Sequence, residues 1–133
     1  MAVDLAGAYQ NIYNLFNTWN YTGLEAAMDP SITVKRVLHP DSVSGINNVK
    51  PYLNSHMLHD KPTLTSVSNI LYYPLTLADQ SNATYGHVSG DGSYCDSTVK
   101  GDTPFPVHFI WCFTRSDTTK DWLLVNAFGY RTG

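Results

Sequence analysis

Apolar residues in the first part of the chain recur at helical spacing. Leu5, Tyr9, Ile12, Phe16 and Trp19 fall three or four apart behind Asp4, a residue type suited to capping, so the pattern predicts a helix from Leu5 to Trp19. After a break at Tyr21-Thr22-Gly23, Leu24 to Met28 predicts a short second helix that Asp29-Pro30 stops. The run from Ser31 to Leu38 then alternates, with β-branched Ile32, Thr33, Val34 and Val37, and predicts a strand ending before His39-Pro40-Asp41. Behind Ser44-Gly45 the helical period returns at Ile46, Val49, Leu53 and Met57, which predicts a third helix over 46–59. Pro51 inside it fits only a first-turn position or a kink. Beyond Pro62 the pattern turns to strands over 63–77, 82–95, 105–115 and 121–131. Turn formers at Asp79 to Asn82, Gly101-Asp102 and Ser116-Asp117 separate them. Helices first and strands after predict an α+β fold with the helices packed on one face of the sheet.

Composition narrows the function classes. A length of 133 residues suits a single domain, and charged residues are only 14%, against about 25% in typical domains. Much of the surface is therefore neutral or covered, and a homodimer is expected. The net charge of -3 and the lack of any Lys/Arg cluster leave out the footprint of a nucleic-acid binder. No apolar run reaches the roughly 20 residues that span a bilayer, and no secretory leader is recognisable, so a cytoplasmic location without membrane contact is expected. Cys95 and Cys112 lack metal-type spacing and are expected to be reduced and packed as small hydrophobes. The sequons at Asn20 and Asn82 then carry no weight.

The order helix, short helix, strand, helix and four long strands resembles the nuclear transport factor 2-like superfamily. Its members include ketosteroid isomerase, scytalone dehydratase, limonene-epoxide hydrolase and the SnoaL-like polyketide cyclases. "GLEAAMDPSITV" is similar to that superfamily's helix-to-strand junction, "SGINNVKPYLNSH" to its third helix and "DWLLVNAFGYR" to its closing strand. The resemblance covers nearly the whole chain and implies an α+β cone fold in which a strongly curved mixed or antiparallel sheet wraps the N-terminal helices around one pocket; function follows from the pocket residues.

Registered on the "FG" of the last strand, the resemblance turns Trp122, Leu124, Asn126, Phe128 and Tyr130 inward. In the preceding strand it turns Val107, Phe109, Trp111 and Phe113 inward and His108 outward. Phe109 or Trp111 then stands where ketosteroid isomerase keeps a neutral Asp. His87, with Tyr85 and Ser89 on its face, matches a strand on which scytalone dehydratase keeps a pocket His. It is either a general acid/base or a His hydrogen-bonded in a polar layer. Arg36 falls where the isomerase has its general base, and would bind a carboxylate or stabilise an enolate or alkoxide if it, and not Lys35, points inward. On the first helix, Tyr13, Phe16 and Asn17 fall near family pocket positions, and Tyr13 is either a donor to substrate oxygen or a core aromatic. Leu53 of the third helix is expected on the pocket wall. His56 and His59 are expected to cap that helix's C-terminus rather than to bind a metal with His39.

These readings predict a cofactor-independent isomerase, cyclase or dehydratase of the SnoaL-like type. The substrate would be a polycyclic polyketide, terpenoid or alkaloid of secondary metabolism. His87, Arg36, Asn126 and Tyr13 would carry the chemistry, and Phe16, Asn17, Leu53, Tyr85, Phe109, Trp111, Phe128 and Tyr130 would bind the substrate. The alternative is a non-catalytic small-molecule binding or dimerisation module. Neither expectation includes a metal or a cofactor.

Overall fold

The computed structural model describes residues 4–133, folded as α1 (Leu5–Asn17), α2 (Tyr21–Ala26), β1 (Met28–Lys35), β2 (Ser42–Ser44), α3 (Ile46–His59), β3 (Thr63–Tyr73), α4 (Leu77–Asn82), β4 (Tyr85–Cys95), β5 (Phe105–Thr114) and β6 (Leu123–Arg131). The six strands form one open sheet in the order β2-β1-β6-β5-β4-β3. β1 runs parallel to β6 and every other pairing is antiparallel, so the sheet is mixed.

Local chemistry starts each helix. The Asp4 carboxylate accepts from the Gly7 N–H at 2.8 Å, and the Asn20 side chain accepts from the Gly23 N–H at 2.9 Å. Because Asn20 caps, α2 begins at Tyr21, earlier than the apolar pattern predicts, and β1 likewise begins at Met28 and stops at Lys35. Pro51 lies beyond the first turn of α3. The carbonyl it leaves free belongs to exposed Asn47, where water can take the lost bond. Asp79 to Asn82, expected as a turn, belongs to α4, where the Thr76 hydroxyl accepts from the Asp79 N–H. The short edge strand β2 was not expected, because three residues carry too little periodicity to stand out.

Curvature comes from three irregularities. In β3, Ser66 and Asn69 adopt left-handed backbones with φ of 53° and 54°, and the pairing with β4 shifts register on both sides of Ser68. In β6, Phe113 pairs with Leu124 and Cys112 with Asn126, so Val125 is an extra residue. The inner face of β4 is pared down to match: an added Cβ on Gly86 would lie 2.7 Å from Leu5 of α1 and 2.8 Å from the Tyr73 carbonyl. That missing side chain lets α1 seat against the sheet. The core between helices and sheet centres on Leu5, Ile32, Val49, Met57, Val88, Phe113 and Leu124.

Candidate functional site

Between the helices and the sheet lies a cavity of about 110 Å³. Ile12 and Phe16 of α1, Leu53 and Met57 of α3, Val107 and Trp111 of β5, and Leu124 and Ala127 of β6 give it an apolar wall. Its polar groups gather on one side: Arg36 just past β1, Tyr52 and His56 on α3, and Tyr94 on β4.

These groups form a chain. The Asp60 carboxylate accepts from His56 Nδ1 at 3.0 Å, and that bond, with smaller help from Lys100, holds Asp60 below its ordinary pKa. An ionised Asp60 can only accept, so Nδ1 carries a proton, and in the neutral tautomer Nε2 faces Tyr94 with a lone pair. The Tyr94 hydroxyl lies 3.3 Å from Nε2 and donates to Asp96 at 3.0 Å. Burial, helped by Asp96, pushes the Tyr94 pKa well above its usual value, so the hydroxyl keeps its proton. Tyr52 stacks on His56 with centroids 5.7 Å apart, and burial raises its pKa to about 12 against the opposing pull of Arg36. The Arg36 guanidinium lies 5.2 Å from the Tyr52 ring centre, and its Nε is buried without a hydrogen-bond partner.

Arg36, Phe16, Leu53 and Trp111 therefore meet at the cavity, as the sequence predicts. His87 does not. In β4 it is Gly86, Val88, Gly90 and Tyr94 that are buried against the helices, so Tyr85, His87 and Ser89 share the outer face. There His87 stacks on Tyr73, with centroids 5.2 Å apart. The Val125 bulge inverts the rest of β6. Leu124 and Trp122 are buried, but beyond the bulge Asn126, Phe128 and Tyr130 pair with Cys112, Ile110 and His108 and turn their side chains outward. Phe128 nevertheless borders the cavity, between Ala127 and Gly129. In β5 the predicted facing holds, with Val107, Phe109, Trp111 and Phe113 buried and His108 paired outside with Asp91 at 2.9 Å. Phe109 belongs to the core instead of the cavity wall, stacked on Tyr9 at 6.1 Å. Tyr13 packs beside Tyr9 at 6.0 Å, away from the cavity. Asn17 is a strap: its amide donates to the Leu64 carbonyl at 2.9 Å and accepts from the Leu64 N–H at 2.8 Å.

His56, Tyr52, Tyr94, Asp60 and Asp96 lay outside the predicted set. The missed signal was spacing: His56 continues the Val49–Leu53–Met57 stripe, so it faces the core, and Asp60 follows one turn later. Tyr94 carried a weaker signal, and nothing local marked Asp96. Among the described residues, no group of His, Cys, Asp or Glu is arranged to hold a metal ion, and no helix is long and apolar enough to cross a membrane.

No protein-family model and no curated protein sequence matches the chain. Solved structures do. A member of the nuclear transport factor 2-like family from Streptomyces avermitilis, named as a candidate dehydratase, superposes with a TM-score of 0.77 at 11% identity, over 98% of this chain and 94% of that one. A ketosteroid isomerase-like protein from Erwinia carotovora atroseptica gives 0.70 at 12% identity, over 97% and 94%. A candidate calcium/calmodulin-dependent protein kinase II association domain from Xanthomonas campestris gives 0.74 at 12% identity, over 96% and 85%. The chain thus has the nuclear transport factor 2-like fold, which hosts catalytic and association modules alike, and at these identities no residue role transfers with it.

Proposed function

We propose that the cavity is the active site of an acid/base enzyme of the isomerase or dehydratase kind, working on a largely apolar small molecule. The observation that carries this reading is the Asp60–His56–Tyr94–Asp96 chain opening into an apolar cavity beside Arg36. With the Tyr94 hydroxyl donating its hydrogen bond to Asp96, and not to His56, Nε2 of the Nδ1-protonated ring keeps a lone pair to take a substrate proton. The imidazolium so formed donates Nδ1–H to Asp60 and Nε2–H to the Tyr94 oxygen, so the charged form has a partner at both nitrogens. Arg36 stabilises the oxyanion that builds up on the substrate. His87, Asn126 and Tyr13 have no part in this scheme. A small ketone or hydroxy compound with an apolar body fits the wall, whereas the polycyclic natural product expected from the sequence exceeds a cavity of about 110 Å³. The test is a panel of such ketones and hydroxy compounds incubated in D2O, followed by mass spectrometry for deuterium uptake and product. We expect His56→Ala to lower turnover by about 10²-fold or more and Asp60→Asn by about tenfold; unchanged turnover in both variants sinks the reading.

One observation favours a second reading, a non-catalytic binding module: both ring nitrogens of His56 already lie within reach of protein partners. That reading is supported by ligand binding without turnover that survives His56→Ala.

The expected homodimer has a natural face in this proposal. Leu71, Tyr73, Tyr85 and Tyr130 are 63%, 59%, 48% and 50% exposed on the outer sheet face. From β3 to β6, the charged side chain on that face is Asp91, ion-paired with His108. Two copies can therefore meet there without like-charge repulsion. Leu71→Glu is expected to yield a monomer in sedimentation velocity, and a wild-type monomer would refute the dimer.

A further inference from the structure

Arg36 stands out for what it lacks. The ion pairs among the described residues are His56–Asp60, His56–Asp96, Lys100–Asp60 and His108–Asp91, and Arg36 enters none of them. Its Nε is shut away from solvent with no acceptor in reach, and its one close neighbour of note is the Tyr52 ring. A guanidinium has five donors, no acceptor and no way of shedding its proton near neutrality. The buried Nε is closed to water and ligand alike, but Arg36 as a whole is half-buried at the cavity wall beside Tyr52, so its other guanidinium N–H groups are laid out for an acceptor that comes from outside the chain.

We infer that the ligand of this cavity is a small carboxylic acid, bound as its carboxylate by Arg36 with the Tyr52 hydroxyl as a neighbouring donor. This deepens the proposed function and rests on its assignment of the site. Burial keeps the Tyr52 hydroxyl protonated, so it can donate. Three features select a monocarboxylate over phosphate or sulfate. The cavity offers one guanidinium, whose planar fork matches a carboxylate. Asp60 and Asp96 stand behind His56 and Tyr94, where they repel a second negative charge. The rest of the wall, including Phe16, Leu53, Met57 and Trp111, is hydrocarbon or indole and suits the acid's apolar body. Size sets the other limit. A cavity of about 110 Å³ is well under the roughly 300 Å³ at which drug-sized pockets begin, so the acid has a short chain or a single ring and not a fused polycyclic skeleton.

Trp111 in the cavity wall supplies the readout. Full-length protein is titrated with hexanoate, benzoate and phenylacetate, with hexanamide and benzamide as neutral matches, and with inorganic phosphate and sulfate. Tryptophan fluorescence and calorimetry follow binding, and Trp111→Phe identifies the reporting residue. We expect the acids to bind, the amides to bind at least tenfold more weakly, and Arg36→Met to lose at least tenfold for the acids and little for the amides. The inference is overturned if no acid binds, if amides match acids, if phosphate binds as tightly as the best acid, or if Arg36→Met keeps full affinity. Should Arg36→Met fail to fold, the acid and amide comparison on the wild-type protein decides alone. Acids that fail to bind while His56→Ala abolishes turnover of a neutral substrate would overturn this inference and leave the proposed function standing. Acids that bind to a protein whose turnover ignores His56 would do the reverse.

Discussion

Replacing Asn17 by Ala tests whether this residue is a strap or a substrate contact. Its amide makes both a donor and an acceptor bond to the backbone of Leu64, at 2.9 and 2.8 Å, tying the C-terminal end of α1 to the start of β3. Leu64 is only 4% exposed, so water has poor access to the N–H and C=O that the substitution strands. Each hydrogen bond contributes about 1 kcal/mol net, and each stranded group costs about 1–3 kcal/mol if fully buried, which for this half-buried pair gives a loss of about 2–3 kcal/mol. With an unfolding entropy of about 2.1 cal/mol/K per residue, a chain of 133 residues loses about 7–11 °C of Tm. Asn17→Asp keeps the acceptor for the Leu64 N–H but sets a second carboxylate oxygen against the Leu64 carbonyl, so it is expected to do no better than Ala at neutral pH. Calorimetric melts of the three proteins measure this, alongside carboxylate affinity at a temperature where all are folded. A Tm change under about 2 °C, or unchanged stability with lost ligand affinity, would refute the strap and restore Asn17 to the binding residues.

Three further outcomes follow from the same packing. Gly86→Ala places a methyl against Leu5 and the Tyr73 carbonyl at distances that real Cβ atoms do not show. It is expected to cost about 1–3 kcal/mol in a urea titration, and trimming Leu5 as well does not recover it, because the carbonyl remains. Arg115 is buried, with Nε donating to the Ala83 carbonyl at 2.9 Å, an amino nitrogen to the Gln80 carbonyl at 2.6 Å and its guanidinium 4.0 Å from the centre of the Trp122 ring. Arg115→Met should therefore destabilise by about 3 kcal/mol, with Arg115→Lys a poor rescue, as read by Tm. Asp60 has a folded pKa below the ordinary value of a free Asp carboxyl because His56 donates to it. It therefore contributes stability that is fully present above that value and is lost as pH falls through the folded pKa. In acid-limb urea midpoints, His56→Leu should flatten this fall, and an unchanged slope below about pH 4 would count against the bond.

The element order was readable from the sequence because it depends on local periodicity. The stripe at Val49, Leu53 and Met57 matches a helix observed over Ile46–His59, and the alternation from Val107 to Phe113 matches the buried face of β5. The α+β class was within reach for the same reason, whereas Arg36 was brought to the cavity by the resemblance of the helix-to-strand junction, with Lys35 left as the alternative. Period two tells which residues share a face, and Tyr85, His87 and Ser89 do share one; it does not tell which face is inside. That choice was made by α1 pressing on Gly86 and by the Val125 bulge, and both are settled by how helices and sheet close on each other over long sequence distances. Only the tertiary structure could bring Asp60 and His56 of the third helix's end together with Tyr94 and Asp96 at the end of β4, some 35 residues along the chain. The sequence by itself determined the α+β order of long helices and strands, because that order is written in local periodicity. The closing of the sheet around the helices decided which His, His56 and not His87, stands beside Arg36.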